Sequence, residues 1–193
     1  MTRQLDAPRP RPRRADALRN RDAVLRAAVS VFAEKGLEAG IPEIAQRAGV
    51  GKATVYRSFP SKEHLVAAVA CERLAWITAL VNRALEAEDA GAAFERAVLA
   101  IAEQQAGDSA VAGSLAADIR LPELDRARAT MHAVLEALID RGRAQGALRA
   151  DATAEELRVL FTGVAQVLRA ANQRDPAVWR RYGLLVADAL RAR

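Results

Sequence analysis

The stretch IPEIAQRAGVGKATVYRSF, residues 41–59, reads as two short helices joined by a glycine-bearing turn. In the first, Ile41–Ala48, Ile44 and Ala45 share one face, and Pro42 is tolerated because first-turn N–H groups have no intrahelical acceptor. Gly49 breaks that helix, and after Gly49-Val50-Gly51 a second one is expected over Lys52–Phe59. At about 100° per residue, Val55 and Phe59 fall on one side of this second helix, with Ala53 and Arg57 on the other, flanked by Thr54 and Tyr56. The inner pair belongs to a core. The outer face combines a small residue that permits close approach, an arginine able to address guanine and two hydroxyls suited to phosphate oxygens. Taken singly, Tyr56 is a partly buried aromatic, Thr54 a surface residue and Arg57 a solvated charge. Gathered on one face of a helix that follows a turn, they have the form of a helix-turn-helix that enters a major groove.

Charge supports the same end of the molecule. Residues 1–62 hold 13 Lys and Arg against 6 Asp and Glu, whereas residues 63–193 hold 16 against 18. The net charge of +5 therefore belongs to the N-terminal third, the footprint expected for a polyanion such as double-stranded DNA.

Outward from the motif the pattern is helical throughout. Upstream, Val24, Ala27, Ala28, Val31 and Phe32 recur at helical spacing from Asn20 and stop before Gly36. Residues 1–19, rich in Pro and Arg, are expected to be a disordered basic arm, either lying along DNA or simply solvated. Downstream, Ser61 is a good N-cap for a helix from Lys62 to about Glu88, with Glu63 in its first turn, extending roughly 40 Å. Further helices are expected over Gly91–Gln105, Ser109–Ile119, Glu123–Gln145, Thr153–Asn172 and from Pro176 to about Arg191. The fold class is all-α, with about nine helices and no strand. Residues 20–65 are expected to form a helix-turn-helix DNA-binding domain, and residues 66–193 a larger helical body, which the family resemblance given below makes a ligand-binding and dimerisation domain.

Composition excludes several function classes. Aromatics make up only 4% of a chain that is 51% hydrophobic, as suits closely packed helices rich in Ala, Leu and Val. No uninterrupted apolar run approaches bilayer-spanning length and the N-terminus lacks a signal-peptide core, so a cytoplasmic protein without membrane contact is expected. Cys71, His64 and His132 have no metal-ligand spacing, and neither a metal nor a cofactor is expected. No Gly-rich phosphate loop, G-x-S-x-G elbow or H-E-x-x-H sequence points to an enzyme. His64 reads as a surface or DNA-side residue, and Cys71, with only Arg73 near it in basic charge, as an inert thiol.

The chain also resembles the TetR family of transcriptional regulators. The likeness rests on Phe32-Ala33-Glu34-Lys35-Gly36, Glu43-Ile44-Ala45-Gln46-Arg47-Ala48-Gly49-Val50, Thr54-Val55-Tyr56-Arg57-Ser58-Phe59 and Ser61-Lys62-Glu63-His64-Leu65, and covers residues 20–70. The resemblance implies phosphate contacts by Thr54, Tyr56 and Lys62, a contact by Lys52 near the turn, and Ala53 and Arg57 nearest the base edges. Gly40-Ile41-Pro42 departs from the family, which usually caps the second helix with Thr. A second stretch, Gly146–Leu157 with Asp175-Pro176 and Tyr182–Arg191, looks like the C-terminal domain of a subset of these regulators.

What the body does is less explicit. Trp76, Phe94, Met131 and Phe161, with His132 as a polar group, are candidates to line a cavity for a mostly apolar small-molecule effector, and each also reads as plain core or, for His132, surface. Leu157, Leu160, Phe161, Val164 and Leu168, and Leu184, Leu185 and Leu190, form apolar stripes on the last two helices. They either complete the intramolecular core or, as the family resemblance implies, hold a homodimer through a four-helix interface, with Gly163 allowing close approach. The leading expectation is a repressor released from a pseudo-palindromic operator by its effector. A DNA-binding regulator without a small-molecule effector, and a helical enzyme, are the competing readings.

Overall fold

Gly36 ends the first helix with φ +73°, its N–H reaching back to the Phe32 carbonyl at 2.9 Å. A side chain with Cβ is strained in that conformation, so the stop lies where the sequence places it. The computed structural model describes residues 12–107 and 118–193. Its helices are α1 (Pro12–Lys35), α2 (Ile41–Ala48), α3 (Lys52–Ser58), α4 (Lys62–Leu85), α5 (Ala90–Gly107), α6 (Pro122–Ala144), α7 (Ala154–Ala170) and α8 (Pro176–Ala189). Among the described residues the only strand-like pairing is one antiparallel bridge between Leu148 and Arg191.

Two differences from the sequence expectation concern helix limits. α1 starts at Pro12 rather than Asn20, so residues 12–19 continue the helix that was expected to follow a disordered arm. Proline is suited to a first helical position, and Ala15, Asp16, Ala17 and Arg19 put no break into the helix, which explains the earlier start. Residues 1–11 of that arm, and nearly all of the helix expected over Ser109–Ile119, lie outside the described residues, which hold eight helices.

The headpiece packs α1, α2, α3 and the first two turns of α4 around Val24, Ala28, Val31, Phe32, Ile44, Val55, Phe59 and Leu65, all nearly or fully buried. Each large apolar side chain so buried contributes about 1.5–3 kcal/mol. A bidentate ion pair ties α2 to α1: Arg47 donates to both carboxylate oxygens of Glu34 at 2.8 and 2.7 Å and to Ser30 Oγ at 2.7 Å. Lys35 of α1 also pairs with Glu43 of α2.

The body is built on the rest of α4. That helix packs against α6 and α5, and α5 in turn against α8, around a core of Val81, Phe94, Leu138, Ile139, Ala152, Val186 and Leu190. Close approach of α5 and α8 depends on Gly183, where a Cβ would come within 2.8 Å of Ala102 Cβ. Side-chain caps start the later helices: Thr153 Oγ1 accepts from the Glu156 N–H at 3.1 Å, and Asp175 from Ala177 N–H at 2.9 Å. By length and composition alone α4 would suffice to cross a membrane, although no uninterrupted apolar run does so. Half of its apolar window is buried, because one helix supplies core to both headpiece and body.

Candidate nucleic-acid interface

α3 is placed by what holds its two ends. α2 ends at Gly49, in the left-handed region at φ +68°, with Gly49 N–H bonded to the Gln46 carbonyl at 3.1 Å and Val50 N–H to the Ala45 carbonyl at 3.0 Å. This paired closure turns the chain sharply, and Gly51 then starts α3 without a side-chain cap. At the far end Phe59 leaves the helix in extended conformation, and Ser61 caps α4 by accepting from the His64 N–H.

Val55 is fully buried and Phe59 1% exposed, so the apolar side of α3 faces the headpiece core as the periodicity requires. On the opposite side Lys52, Ala53, Tyr56 and Arg57 are exposed, Tyr56 by half of its surface. Thr54 and Lys62 are half-buried at the edges of the same face. Arg57 Nη2 donates to Thr54 Oγ1 at 2.9 Å, one helical turn away. The surface is thus a short ridge of two lysines, one arginine, two hydroxyls and a methyl group. Such a ridge can place donors on phosphates along its flanks and a guanidinium against a guanine edge at its crest.

A model of bacterial regulatory proteins of the tetR family matches residues 24–69, the segment that builds the headpiece. A TetR transcriptional regulator from Streptomyces coelicolor is 30% identical, with 89% of this chain and 98% of that one covered and a TM-score of 0.65. A TetR transcription regulatory protein from Mycobacterium vanbaalenii is 33% identical over 94% of this chain and 100% of that one, with a TM-score of 0.61. The chain belongs to the TetR family. As a TetR-family protein it is a DNA-binding transcriptional regulator, and its headpiece is the part that the family model describes. The regulator FadR from Bacillus subtilis, solved in complex with stearoyl-CoA, shares the fold at a TM-score of 0.70 with 17% identity, covering 88% of this chain and 98% of that one. No curated protein matches the sequence.

The body residues singled out from the sequence are distributed differently. Phe94 is 2% exposed inside the body core, and Trp76, Met131 and Phe161 are half-buried against that core. The Arg73 guanidinium lies 4.3 Å from the Trp76 ring centroid. His132, the polar candidate, is exposed on α6. At about 100° per residue it shares a face with the buried Ile139, seven positions on, so its exposure reflects where along α6 the neighbouring helices pack rather than which side it is on.

Of the stripe residues, Leu157, Leu168 and Leu190 are buried within their own subunit at 5%, 7% and 0% exposure. Leu160, Phe161, Val164 and Leu184 are half-buried, Leu185 is 56% exposed, and Gly163 is open, with nothing within 4 Å of a Cβ built on it. Sequence periodicity missed Val159, Val167 and Tyr182, which stand exposed on α7 and α8. It also missed Arg21 and Arg47, whose partners lie on other helices. The Cys71 thiol is pushed up by burial and by the Glu123 carboxylate, both of which favour its protonated form.

Proposed function

We propose that this TetR-family regulator is a cytoplasmic repressor that binds a pseudo-palindromic operator as a two-fold homodimer and is released by a mostly apolar small molecule. The observation that carries the reading is the division of α3: Val55 is wholly buried while Lys52, Ala53, Tyr56 and Arg57 stand exposed. A seven-residue helix with a single buried side chain contributes little to the core, and its outer face is free to enter a groove. In this reading Arg57 and Ala53 meet base edges, Thr54, Tyr56 and Lys62 meet phosphates, and Lys52 meets the backbone near the turn.

The homodimer is supported by α7 and α8, where Val159, Val167, Tyr182 and Leu185 are exposed. Two copies related by a two-fold axis would cover this apolar surface and present two recognition helices to two half-sites. For the effector, Trp76, Met131 and Phe161 are among the body side chains that pack against the core with only part of their apolar surface buried. The stearoyl-CoA held by the Bacillus subtilis neighbour supports an acyl chain or similar apolar group as the class. A ligand that prefers the subunit arrangement with wrongly spaced recognition helices shifts the population away from DNA, with α4 linking body to headpiece.

Selection of duplexes from a random pool by the intact protein, followed by titration of fatty acyl compounds against the complex, tests the proposal. Enrichment of an inverted repeat with release by ligand is expected. Equal binding to all duplexes refutes the operator, and a tightly bound ligand that leaves affinity for DNA unchanged refutes the allosteric part.

A further inference from the structure

We infer that Arg21 of α1 is a positioning residue for the recognition helix, setting the angle of α3 and with it the discrimination between operator and other DNA. The inference rests on the DNA-binding role of α3 and adds a residue to it that has no place on the DNA-facing ridge.

α3 has few internal constraints on its orientation. It is seven residues long, Val55 is its one buried side chain, and Gly51 offers no side-chain cap at its start. Its end is held from outside. Arg21 Nη1 donates to the carbonyl of Ser58, the last residue of α3, at 3.0 Å. That carbonyl has no acceptor role within its own helix, and the helix dipole places negative charge there, so a guanidinium is the suited partner. The same guanidinium carbon lies 4.3 Å from the centroid of the Phe59 ring, over the residue at which the chain leaves α3. Phe59 is 1% exposed, and its N–H closes α3 on the Val55 carbonyl at 2.8 Å.

One planar group therefore fixes both the last carbonyl and the first side chain beyond the helix, across 37 residues of sequence. A planar fork can make the bond and the stack together, which a lysine ammonium cannot. Arg21 also borders an open groove of about 490 Å³ between headpiece and body, with Ala68, Ala75 and Glu72 of α4 on another wall. A smaller or uncharged side chain at 21 meets no clash there, so α3 would be released rather than pushed.

The test uses the full chain and an operator selected from a random duplex pool, with Arg21→Met and Arg21→Lys each measured on operator and on unrelated duplex across a salt series. The expected result for Arg21→Met is a loss of about tenfold on the operator, the scale of one charged hydrogen bond. Affinity for unrelated duplex and the slope of affinity against salt stay as in the parent. Arg21→Lys is expected to restore only part of the loss, since it keeps the charge without the fork. Equal losses on both duplexes with a slope reduced by about one would make Arg21 a phosphate contact and overturn the inference. Unchanged discrimination, with or without a lower thermal midpoint, would overturn it as well by leaving Arg21 a purely structural role. A parent chain that enriches no sequence would instead overturn the DNA-binding role itself, and the two failures are thereby distinguished.

Discussion

Arg57 and Thr54 hold each other on the exposed face of α3 through an Nη2 to Oγ1 hydrogen bond of 2.9 Å. The guanidinium is thus directed along the helix in the absence of DNA, with less side-chain freedom to lose when a base edge replaces or joins Thr54.

Replacing Arg57 with Ala should cost about 1–3 kcal/mol at one base position of each half-site and relax the preference there. Tyr56→Phe and Lys62→Ala should weaken all duplexes alike, and Lys62→Ala should lower the salt slope by about one. Binding curves on single-base operator variants across a salt series separate the two behaviours.

Glu34 is expected to shape the acid limb of stability. The Arg47 guanidinium bonded to its carboxylate holds that group down to about 2, against an ordinary value of 4.5. A depressed carboxyl stabilises the fold above the ordinary value, and that contribution is lost as pH falls towards about 2. Glu34→Gln should therefore lower the thermal midpoint slightly at neutral pH, and the difference from the parent should vanish towards pH 2. Because the pair is solvent-exposed, added salt should shrink the difference further. Thermal melts from pH 7 to pH 2 at two ionic strengths check this.

Gly183→Ala should destabilise the body, since its Cβ would stand 2.8 Å from Ala102 Cβ and 3.4 Å from Leu99 Cδ2. Leu99 Cδ2 can shift by rotating, but Ala102 Cβ is fixed to its backbone, and overpacking of this kind costs about 1–3 kcal/mol, more than the roughly 1 kcal/mol that alanine gains over glycine in helix propensity. Urea unfolding should show a lower midpoint with an unchanged slope.

Gly163→Ala should behave in the opposite way within a subunit, because nothing lies within 4 Å of the new Cβ and the helix gains about 0.5–1 kcal/mol. If the exposed side of α7 is the homodimer contact, the same methyl group should raise the dissociation constant of the dimer, and Val167→Glu, at a position 69% exposed, should raise it much more. Sedimentation over a concentration series reads both. A parent chain that stays monomeric at micromolar concentration would refute the contact.

The headpiece is legible from local residue patterns. Gly36 and Gly49 stop helices through a backbone conformation that only glycine adopts freely, and the period of Val55 and Phe59 against Ala53 and Arg57 sorts α3 into a buried and an exposed side. These are local signals, written within one or two helical turns. Which apolar residues of α7 and α8 turn inward depends instead on long-range packing. Leu157, Leu168 and Leu190 do so, while Val159, Val167 and Leu185 do not, and a helix apolar on more than one side carries no local mark of which side a neighbour will cover. His132 shares a helix face with Ile139, yet one is exposed and the other buried, because packing decides which stretch of that face a neighbour covers. Arg21 and Arg47 show the limit most clearly. Each acts on a partner between 13 and 37 residues away, so its role exists only once α1 has packed against α2 and α3.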